Sequence, residues 1–143
     1  MTTEIKPLVA ADASLEEVQA RFSDDKFATA AGCTVVECGV GHAVCEMQLD
    51  RNLHYNGMGG VMGGAIFTLA DFALAVGCNM GQAPTVSVSN TIEFLSGAKG
   101  TKLIATCTAD KSGRSVAYYT VDVVDDLATK VARMVATCYR KVK

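Results

Sequence analysis

The chain has 143 residues and a mass of 15.0 kDa, which suits one domain and leaves no room for two. Apolar residues make up 50% and charged residues 20%, the composition of a globular protein rather than a disordered one. A formal net charge of -2 provides no basic surface, so nucleic acid is not an expected partner.

The six cysteines are scattered along the chain and form no CxxC pair. The N-terminus lacks a basic segment followed by an apolar one, so no signal peptide is expected. Most of the cysteines lie in apolar runs, which predicts free, buried thiols in a reducing, cytoplasmic compartment. Neither histidine neighbours a cysteine at zinc spacing, so no metal is expected.

Residues 1–31 are predicted to form a helical leader. The first part, residues 1–13, is expected to be loose. Ser14 and Glu17 have the spacing of a capping box, which begins a short helix. A second helical turn follows and ends at Gly32.

Two strands at 33–37 and 43–49 come next, with a tight turn between them. The loop at 51–64 holds five glycines, which indicates unusual backbone angles or close backbone approach. Residues 65–78 are rich in Ala and Leu and predict a helix. This segment is apolar all round, so the helix should be buried on nearly every side. With Asp71 inside it, the apolar stretch is too short and interrupted to span a membrane.

Four further segments rich in Val, Thr, Ile and Tyr predict strands at 86–94, 102–111, 116–124 and 130–140. Their short connections predict antiparallel neighbours. A single antiparallel sheet wrapped around one long central helix accommodates every segment. Residues 1–143 then form one α+β domain of the hotdog fold, and its open sheet edges favour dimerisation.

Asp71 is the sharpest functional signal in the chain. An unpaired carboxylate buried in an apolar helix costs on the order of several kcal/mol, so this one must be paired, be protonated or face a cleft. One interpretation is a side chain that faces solvent or bonds to a cap. The functional interpretation is a general base or nucleophile in a site dry enough to raise its pKa.

Gly63 and Gly64 precede the helix, so their N–H groups lie at the positive end of its dipole. They are candidates to hold a developing oxyanion, and a plain glycine turn is the alternative. Gly63 and Asp71 lie about 12 Å apart along a helix that rises ~1.5 Å per residue. If both act on one carbonyl group, they must come from different subunits of a dimer.

The run from Asn56 to Asp71 combines a loop Asn, a glycine pair and a helical Asp at fixed spacing. It resembles the signature of hotdog-fold acyl-CoA thioesterases of the phenylacetic acid degradation (PaaI-like) type. Residues 91–95 also resemble that family, and the likeness extends from about Phe27 to Arg140. The resemblance implies a homodimer or homotetramer that hydrolyses acyl-CoA, with coenzyme A as part of the substrate and no separate cofactor.

By position, the resemblance implies catalytic roles for three residues. Asp71 would promote attack of water or attack the thioester itself, the Gly63 amide would polarise the thioester carbonyl, and Asn56 would help to shape the site. Met62 departs from the family, which has His at this place, and Met offers no N–H donor. Met62 would lower activity, alter substrate choice, mark a protein that binds acyl-CoA without cleaving it, or merely fill the pocket.

Several other residues are less specific candidates. Thr68 lies one turn before Asp71, where it either orients the attacking water or bonds to its own helix backbone. His54 is interpreted as a solvated loop residue and His42 as an exposed one. Phe94 and the helix phenylalanines permit an aromatic or a short to medium-chain acyl group.

Four cations near the predicted turns are candidates to meet the phosphates of coenzyme A, or are simply solvated: Lys99, Lys102, Lys111 and Arg114. The resemblance places pantetheine along the turn at 112–115. The residues expected to contact the substrate are therefore Met62, Gly64, Phe94, Gly113, Arg114 and Ser115.

Three functions follow from these residues, and a thioesterase is favoured. An acyl-thioester hydratase or dehydratase shares the fold but needs a His beside the carboxylate, and neither His42 nor His54 lies on the predicted helix. A non-catalytic protein that binds acyl-CoA is the third, with Met62 as the cause of its inactivity.

Overall fold

The computed structural model describes residues 5–141. Two short helices precede the first strand, and the long helix lies between the second and third strands. The elements are α1 (Leu15–Phe22), α2 (Lys26–Ala30), β1 (Cys33–Gly39), β2 (His42–Gln48), α3 (Gly63–Asn79), β3 (Thr85–Phe94), β4 (Lys102–Ser112), β5 (Val116–Asp125) and β6 (Lys130–Arg140). Within residues 5–141, no helix is both long and apolar enough to cross a membrane.

The six strands form one sheet in the order β1-β2-β4-β5-β6-β3, and every neighbouring pair is antiparallel. α3 packs against five of these strands. In the central strands, buried residues alternate with more exposed ones, because successive side chains point to opposite faces of a sheet. The predicted α+β hotdog arrangement of one sheet around one central helix is therefore confirmed.

One predicted strand pairing is wrong. The short link between β3 and β4 led us to expect that these strands are neighbours, but β4 pairs with β2 and β3 pairs with β6. The link instead crosses the end of the sheet, and β3 becomes an edge strand. Link length alone does not distinguish a hairpin from a crossing of this kind.

The N-terminal segment is less loose than expected. Val9 is only 6% exposed, forms a bridge with Met80 at the end of α3, and accepts a hydrogen bond from the Gly81 N–H at 2.8 Å. α1 begins where the capping residues predicted, since Ser14 Oγ accepts from the Glu17 N–H at 3.2 Å. The part of the predicted leader at residues 1–4 lies outside the described residues.

α3 leaves one of its faces open in the protomer. The helix begins at Gly63, two residues before the predicted start, and ten of its 17 residues are buried. Gly64 and Asp71 are exposed and Ala75 is half-buried, and this spacing places them on one side of the helix. The expectation of burial on nearly every side is therefore wrong for a single chain.

β3 is equally uncovered. Thr85 is its one buried residue, while Val86 and Val88 are 62% and 64% exposed. An edge strand with apolar side chains and free backbone groups is a surface on which another chain can add.

Asp125, at the end of β5, holds the loop that follows β3 by hydrogen bonds. The side chain is 2% exposed and accepts hydrogen bonds from four backbone N–H groups at 2.7–3.0 Å. Burial acts to raise the pKa of this carboxyl, but the N–H donors of Lys99, Thr129 and Gly100 outweigh it and hold the pKa below its ordinary value.

Asp125→Asn should destabilise the fold by about 2 kcal/mol or more, because an amide presents one acceptor oxygen where the carboxylate has two. The pKa is lowered in the folded state, so this stabilisation is complete above the unfolded-state pKa and is lost as pH falls through the folded-state pKa. Urea unfolding at pH 7 and pH 3 checks both points. The difference in free energy of unfolding between parent and variant should be smaller at pH 3 than at pH 7.

Asp122→Asn is the matched control. Asp122 is exposed and pairs with Arg133 at 3.3 Å, so its replacement should change stability by less than about 1 kcal/mol. Equal stability of the two variants at pH 7 would contradict the stabilising role of Asp125.

Candidate active site

The start of α3 presents two backbone N–H groups without acceptors. Met62 is the N-cap and has extended backbone, with φ -64° and ψ 136°, but its side chain forms no cap. Within residues 5–141, neither the Gly63 nor the Gly64 N–H donates a hydrogen bond, whereas Ala65 and Ile66 already donate to the Met62 carbonyl. Two free donors at the positive end of a helix suit an oxygen that gains negative charge.

Apolar side chains flank these two amides. A Cβ on Gly63 would lie 3.0 Å from Cζ of Phe94, and a Cβ on Gly64 would lie 3.0 Å from Cε of Met62. Phe94 and Met62 are themselves 53% and 55% exposed, so both side chains line an accessible surface. The glycines thus allow close approach from this side, and Met62 lies directly beside the donors.

Asn56 shapes the loop in front of the helix. Its Oδ1 accepts from the N–H of Met58 at 2.9 Å and of Gly60 at 3.2 Å, and its own N–H donates to the Gly60 carbonyl at 2.8 Å. The side chain is exposed, and its amide nitrogen forms no hydrogen bond within the described residues. In the protomer, Asn56 acts on the loop rather than on Asp71.

His54 corrects a prediction from the sequence. It is not solvated but 4% exposed, with Nδ1 accepting from the Asp50 N–H at 2.9 Å and Nε2 lying 2.6 Å from the Ala31 carbonyl. With these partners, Nδ1 is the acceptor and Nε2 is the donor of the ring. The His54 carbonyl accepts from the Met62 N–H at 2.8 Å, so this histidine ties the loop before α3 to the end of α2.

Asp71 lies where two clefts meet. One cleft, of about 320 Å³, is lined by Asp25, Phe27, Phe67 and Thr68 among others. The second, of about 220 Å³, runs along α3 to the first residues of β3. Within residues 5–141, the Asp71 carboxylate forms no hydrogen bond or ion pair. Asp71 is exposed, so in the protomer its carboxylate faces clefts that are open to solvent.

The cleft changes the acidity of Asp71. Burial by the cleft walls raises the pKa of this carboxyl, although the side chain still reaches solvent, and the negative charge of Asp25 raises the pKa further. Asp25 is the N-cap of α2, yet its carboxylate makes no cap hydrogen bond. No local pattern predicted this pair, because the two residues are far apart in the chain and meet only through the packing of α2 on α3.

Thr68 lies in the same cleft as Asp71. Its hydroxyl donates to the Gly64 carbonyl at 2.8 Å, which is the backbone bond that the sequence left open as an alternative. The hydroxyl oxygen can still accept a hydrogen bond from a molecule in the cleft.

The turn at 112–115 lies at the other end of the sheet. Val116 pairs with Tyr139, which pairs with Val86, so this turn adjoins the start of β3 rather than Phe94 at its end. In one protomer, Gly113, Arg114 and Ser115 are therefore remote from the amides of the glycine pair.

The four candidate cations do not form one cluster. Lys102 begins β4 and Lys111 lies near its end, about 30 Å away at ~3.3 Å per residue. Lys102 is paired with Glu46 at 3.3 Å. Lys111 and Arg114 remain as exposed cations at the turn, and neither forms an ion pair within the described part of the chain.

Comparison with known proteins identifies the class. The family model of the thioesterase superfamily matches residues 58–132. The acyl-coenzyme A thioesterase PaaI of Escherichia coli is 30% identical over 118 residues, which cover 82% of this chain and 84% of that protein. This chain belongs to the thioesterase superfamily.

Solved structures agree with this assignment. The structure of the E. coli PaaI protein from the phenylacetic acid degradation operon has a TM-score of 0.81 at 28% identity, covering 90% of this chain and 96% of that one. The TT0310 protein of Thermus thermophilus gives 0.75 at 28% identity, covering 80% and 97%. The smu.793 protein of Streptococcus mutans, bound to acetyl CoA, shares the fold, with 0.72 at 22% identity over 77% and 89%.

Asp25→Asn should lower the pKa of Asp71, because a neutral amide removes the negative charge across the cleft and leaves the positive Lys26 on the same wall. Carbon-detected NMR titration of the Asp71 carboxyl, assigned with Asp71→Asn, measures this shift. Asp24→Asn is the control, since Asp24 faces Arg21 and Lys26 at 3.3 and 3.8 Å. A titration of Asp71 that is unchanged in Asp25→Asn, or shifted equally in the control, would overturn the pairing.

Proposed function

We propose that this protein hydrolyses acyl-CoA thioesters to a free acid and coenzyme A. The proposal rests on one observation about α3. The helix presents two N–H groups without acceptors at its start and a carboxylate of raised pKa at its centre. Membership of the thioesterase superfamily and the likeness to PaaI of E. coli support thioester hydrolysis as the chemistry.

In the proposed reaction, the Gly63 N–H and the Asp71 carboxylate have separate roles. The thioester carbonyl accepts a hydrogen bond from the Gly63 N–H, which stabilises the oxyanion that forms on attack. Asp71 either takes a proton from the attacking water or attacks the carbonyl carbon itself to form an anhydride that water then cleaves. In either route the C–S bond breaks when the first tetrahedral intermediate collapses, before any anhydride is cleaved, and the thiolate of coenzyme A leaves and takes up a proton from Asp71 or from water. A raised pKa makes Asp71 a stronger base than an ordinary aspartate.

The site is proposed to lie across a dimer interface. Gly63 and Asp71 are separated by about 12 Å along α3, which rises ~1.5 Å per residue, so one carbonyl cannot reach both in one chain. The open face of α3 and the uncovered edge strand β3 adjoin each other in the protomer, and a second copy would cover both. Gly63 of one protomer would then face the partner's Asp71.

A homotetramer is the larger assembly that the surface supports. Val86, Tyr139 and Val116 are paired across three neighbouring strands and are all exposed, at 62%, 46% and 39%. These side chains lie on the sheet face away from α3, where two dimers can stack.

The substrate is proposed to carry an aryl or a short to medium-chain acyl group. Phe27, Phe67 and Phe72 line the cleft at Asp71, and Phe94 lies over Gly63. No separate cofactor or metal is required by this chemistry. We place the protein in the cytoplasm, since five of the six cysteines are buried as free thiols and a reducing compartment keeps them so.

The two alternatives differ in what supports them. A hydratase or dehydratase needs a histidine beside the carboxylate, but His54 is held in the loop and His42 pairs with Glu37 at 3.0 Å. Binding of acyl-CoA without cleavage is the stronger alternative, because Met62 stands beside the glycine amides where the family has a histidine.

The decisive assay compares the parent with Asp71→Asn for release of coenzyme A from short, medium-chain and aryl acyl-CoA thioesters. Hydrolysis by the parent should fall by a factor of about 100 or more in the variant, as expected for loss of a base or nucleophile. Asp122→Asn serves as the control and should retain parental rates. If the parent binds but cleaves none of these thioesters and Met62→His creates activity, the binding alternative is correct.

Mixed dimers test the interface. Gly63→Pro removes the N–H at a helix position that accepts proline, and Gly63→Ala keeps the N–H as a control for displacement of Phe94. Asp71→Asn and Gly63→Pro should each be inactive alone. Their random co-expression should restore about one quarter of parental activity, since half of the dimers are mixed and each has one intact site. No recovery in isolated mixed dimers would place both groups in one chain.

A further inference from the structure

Arg140, at the end of β6, is a buried cation without a carboxylate partner. The residue is 6% exposed, and none of the ion pairs within residues 5–141 includes it. Its guanidinium donates instead to neutral oxygens: Thr85 Oγ1 at 3.3 Å, Ser112 Oγ at 2.8 Å, the Gly113 carbonyl at 2.8 Å and Tyr119 Oη at 3.1 Å. Burial of an unpaired charge is unfavourable, so this arrangement calls for a role beyond packing.

These hydrogen bonds fix the turn between β4 and β5. Two of the four acceptors, Ser112 and Gly113, belong to the turn, and the Arg140 N–H also donates to the Ser115 carbonyl at 2.7 Å. Gly113 is tightly held, because a Cβ there would meet the Val116 carbonyl oxygen. The guanidinium and backbone N–H of Arg140 therefore hold this turn from inside the fold.

The turn carries positive charge. Lys111, Arg114 and Lys141 are exposed and form no ion pair within the described residues, while Asp110 accepts a hydrogen bond from Thr120 at 2.6 Å. Arg140 adds a fourth positive charge through its contacts with Ser112 and Gly113, and the four together outweigh the single negative charge of Asp110. Such a cluster favours a multiply charged anion, and the nucleotide end of coenzyme A supplies phosphate groups.

The same network reaches the cleft at Asp71. That cleft runs along α3 from Asp71 to Thr85, and Thr85 is the residue that accepts from Arg140 Nε. Asn79, at the end of α3, holds the Thr85 backbone through both its amide oxygen and its amide nitrogen, at 2.8 and 3.1 Å. Because Asn79 lies eight residues after Asp71 in α3, Arg140 reaches the end of this cleft that is farther from the carboxylate, on the side of the cationic turn.

We propose that Arg140 is a positioning residue for coenzyme A, whose buried guanidinium holds the turn at 112–115 so that Lys111 and Arg114 meet the phosphates of the nucleotide. The inference rests on the proposed function, because it concerns the same substrate. It assigns to Arg140 an effect on recognition of the coenzyme and none on the chemistry at Asp71.

The test uses two thioesters of the same acyl group, one of coenzyme A and one of N-acetylcysteamine, which lacks the nucleotide. Arg140→Gln should raise KM for the acyl-CoA about tenfold with kcat little changed, because recognition rather than catalysis is impaired. Both kinetic constants for the N-acetylcysteamine thioester should stay at the parental values. Arg140→Lys should recover part of the loss, since it keeps the charge but not the planar fork.

Two further variants keep the test decisive. Arg133→Gln removes an exposed arginine from the same strand and should change neither substrate's constants. Should Arg140→Gln fail to fold, Ser112→Ala removes one acceptor alone and should raise KM for acyl-CoA in the same direction by a smaller factor. Equal loss of kcat on both thioesters, or an unchanged KM for acyl-CoA, would overturn the proposal.

Failure of the proposed function gives a different result. In that case the parent cleaves neither thioester, and calorimetry with coenzyme A alone decides the matter. Weaker binding by Arg140→Gln than by Arg133→Gln would then support the positioning role in a binding protein. Equal affinity of these two variants, or no binding by the parent, would overturn it.

Discussion

The structure depends on the burial of one apolar helix. α3 has little polar surface, so it is stable only where other elements exclude water from it. The sheet provides this cover by wrapping five strands around the helix, and the central strands supply inward-facing residues for contact. A curved sheet cannot enclose a cylinder completely, and the face that contains Asp71 stays open. The candidate catalytic carboxylate therefore lies where the burial of α3 is incomplete.

The start of the same helix raises a second problem, since its first N–H groups have no acceptor within the helix. Most helices answer it with a capping Ser, Thr, Asp or Asn, but here Met62 occupies the cap position. Two glycines follow, and side chains of Phe94 and Met62 lie so close that a Cβ would crowd them. This helix end has no side-chain cap, begins with two glycines and has apolar neighbours. Its free N–H groups can therefore donate to an electron-rich atom of a ligand.

The sequence predicted most of the fold because its signals are local. The glycine loop, the apolar run and the alternating strands each depend on neighbouring residues, and they determined the α+β arrangement correctly. The errors concern contacts between distant residues. His54 was interpreted as solvated because nothing in the loop indicates that the carbonyl of Ala31, which is distant in sequence, accepts a hydrogen bond from its ring. β4 pairs with β2 because the chain crosses the end of the sheet between β3 and β4. The length of the link does not indicate this crossing.

The candidate site shows the same division in its own residues. Asp71 and Gly63 stand out in the sequence because a carboxylate in an apolar helix and a glycine pair before it are locally unusual. Asp25 and Arg140 do not stand out, since an aspartate before a helix and an arginine in a strand are ordinary until the fold shows their neighbours.

The groups of the candidate site are separated within one protomer. The amides, the carboxylate and the cationic turn lie apart in one protomer, yet the uncovered β3 edge and the open face of α3 adjoin one another. A two-fold axis beside β3 would bring the start of one α3 toward the centre of its partner, so that the contact which covers the exposed apolar surface also completes the site.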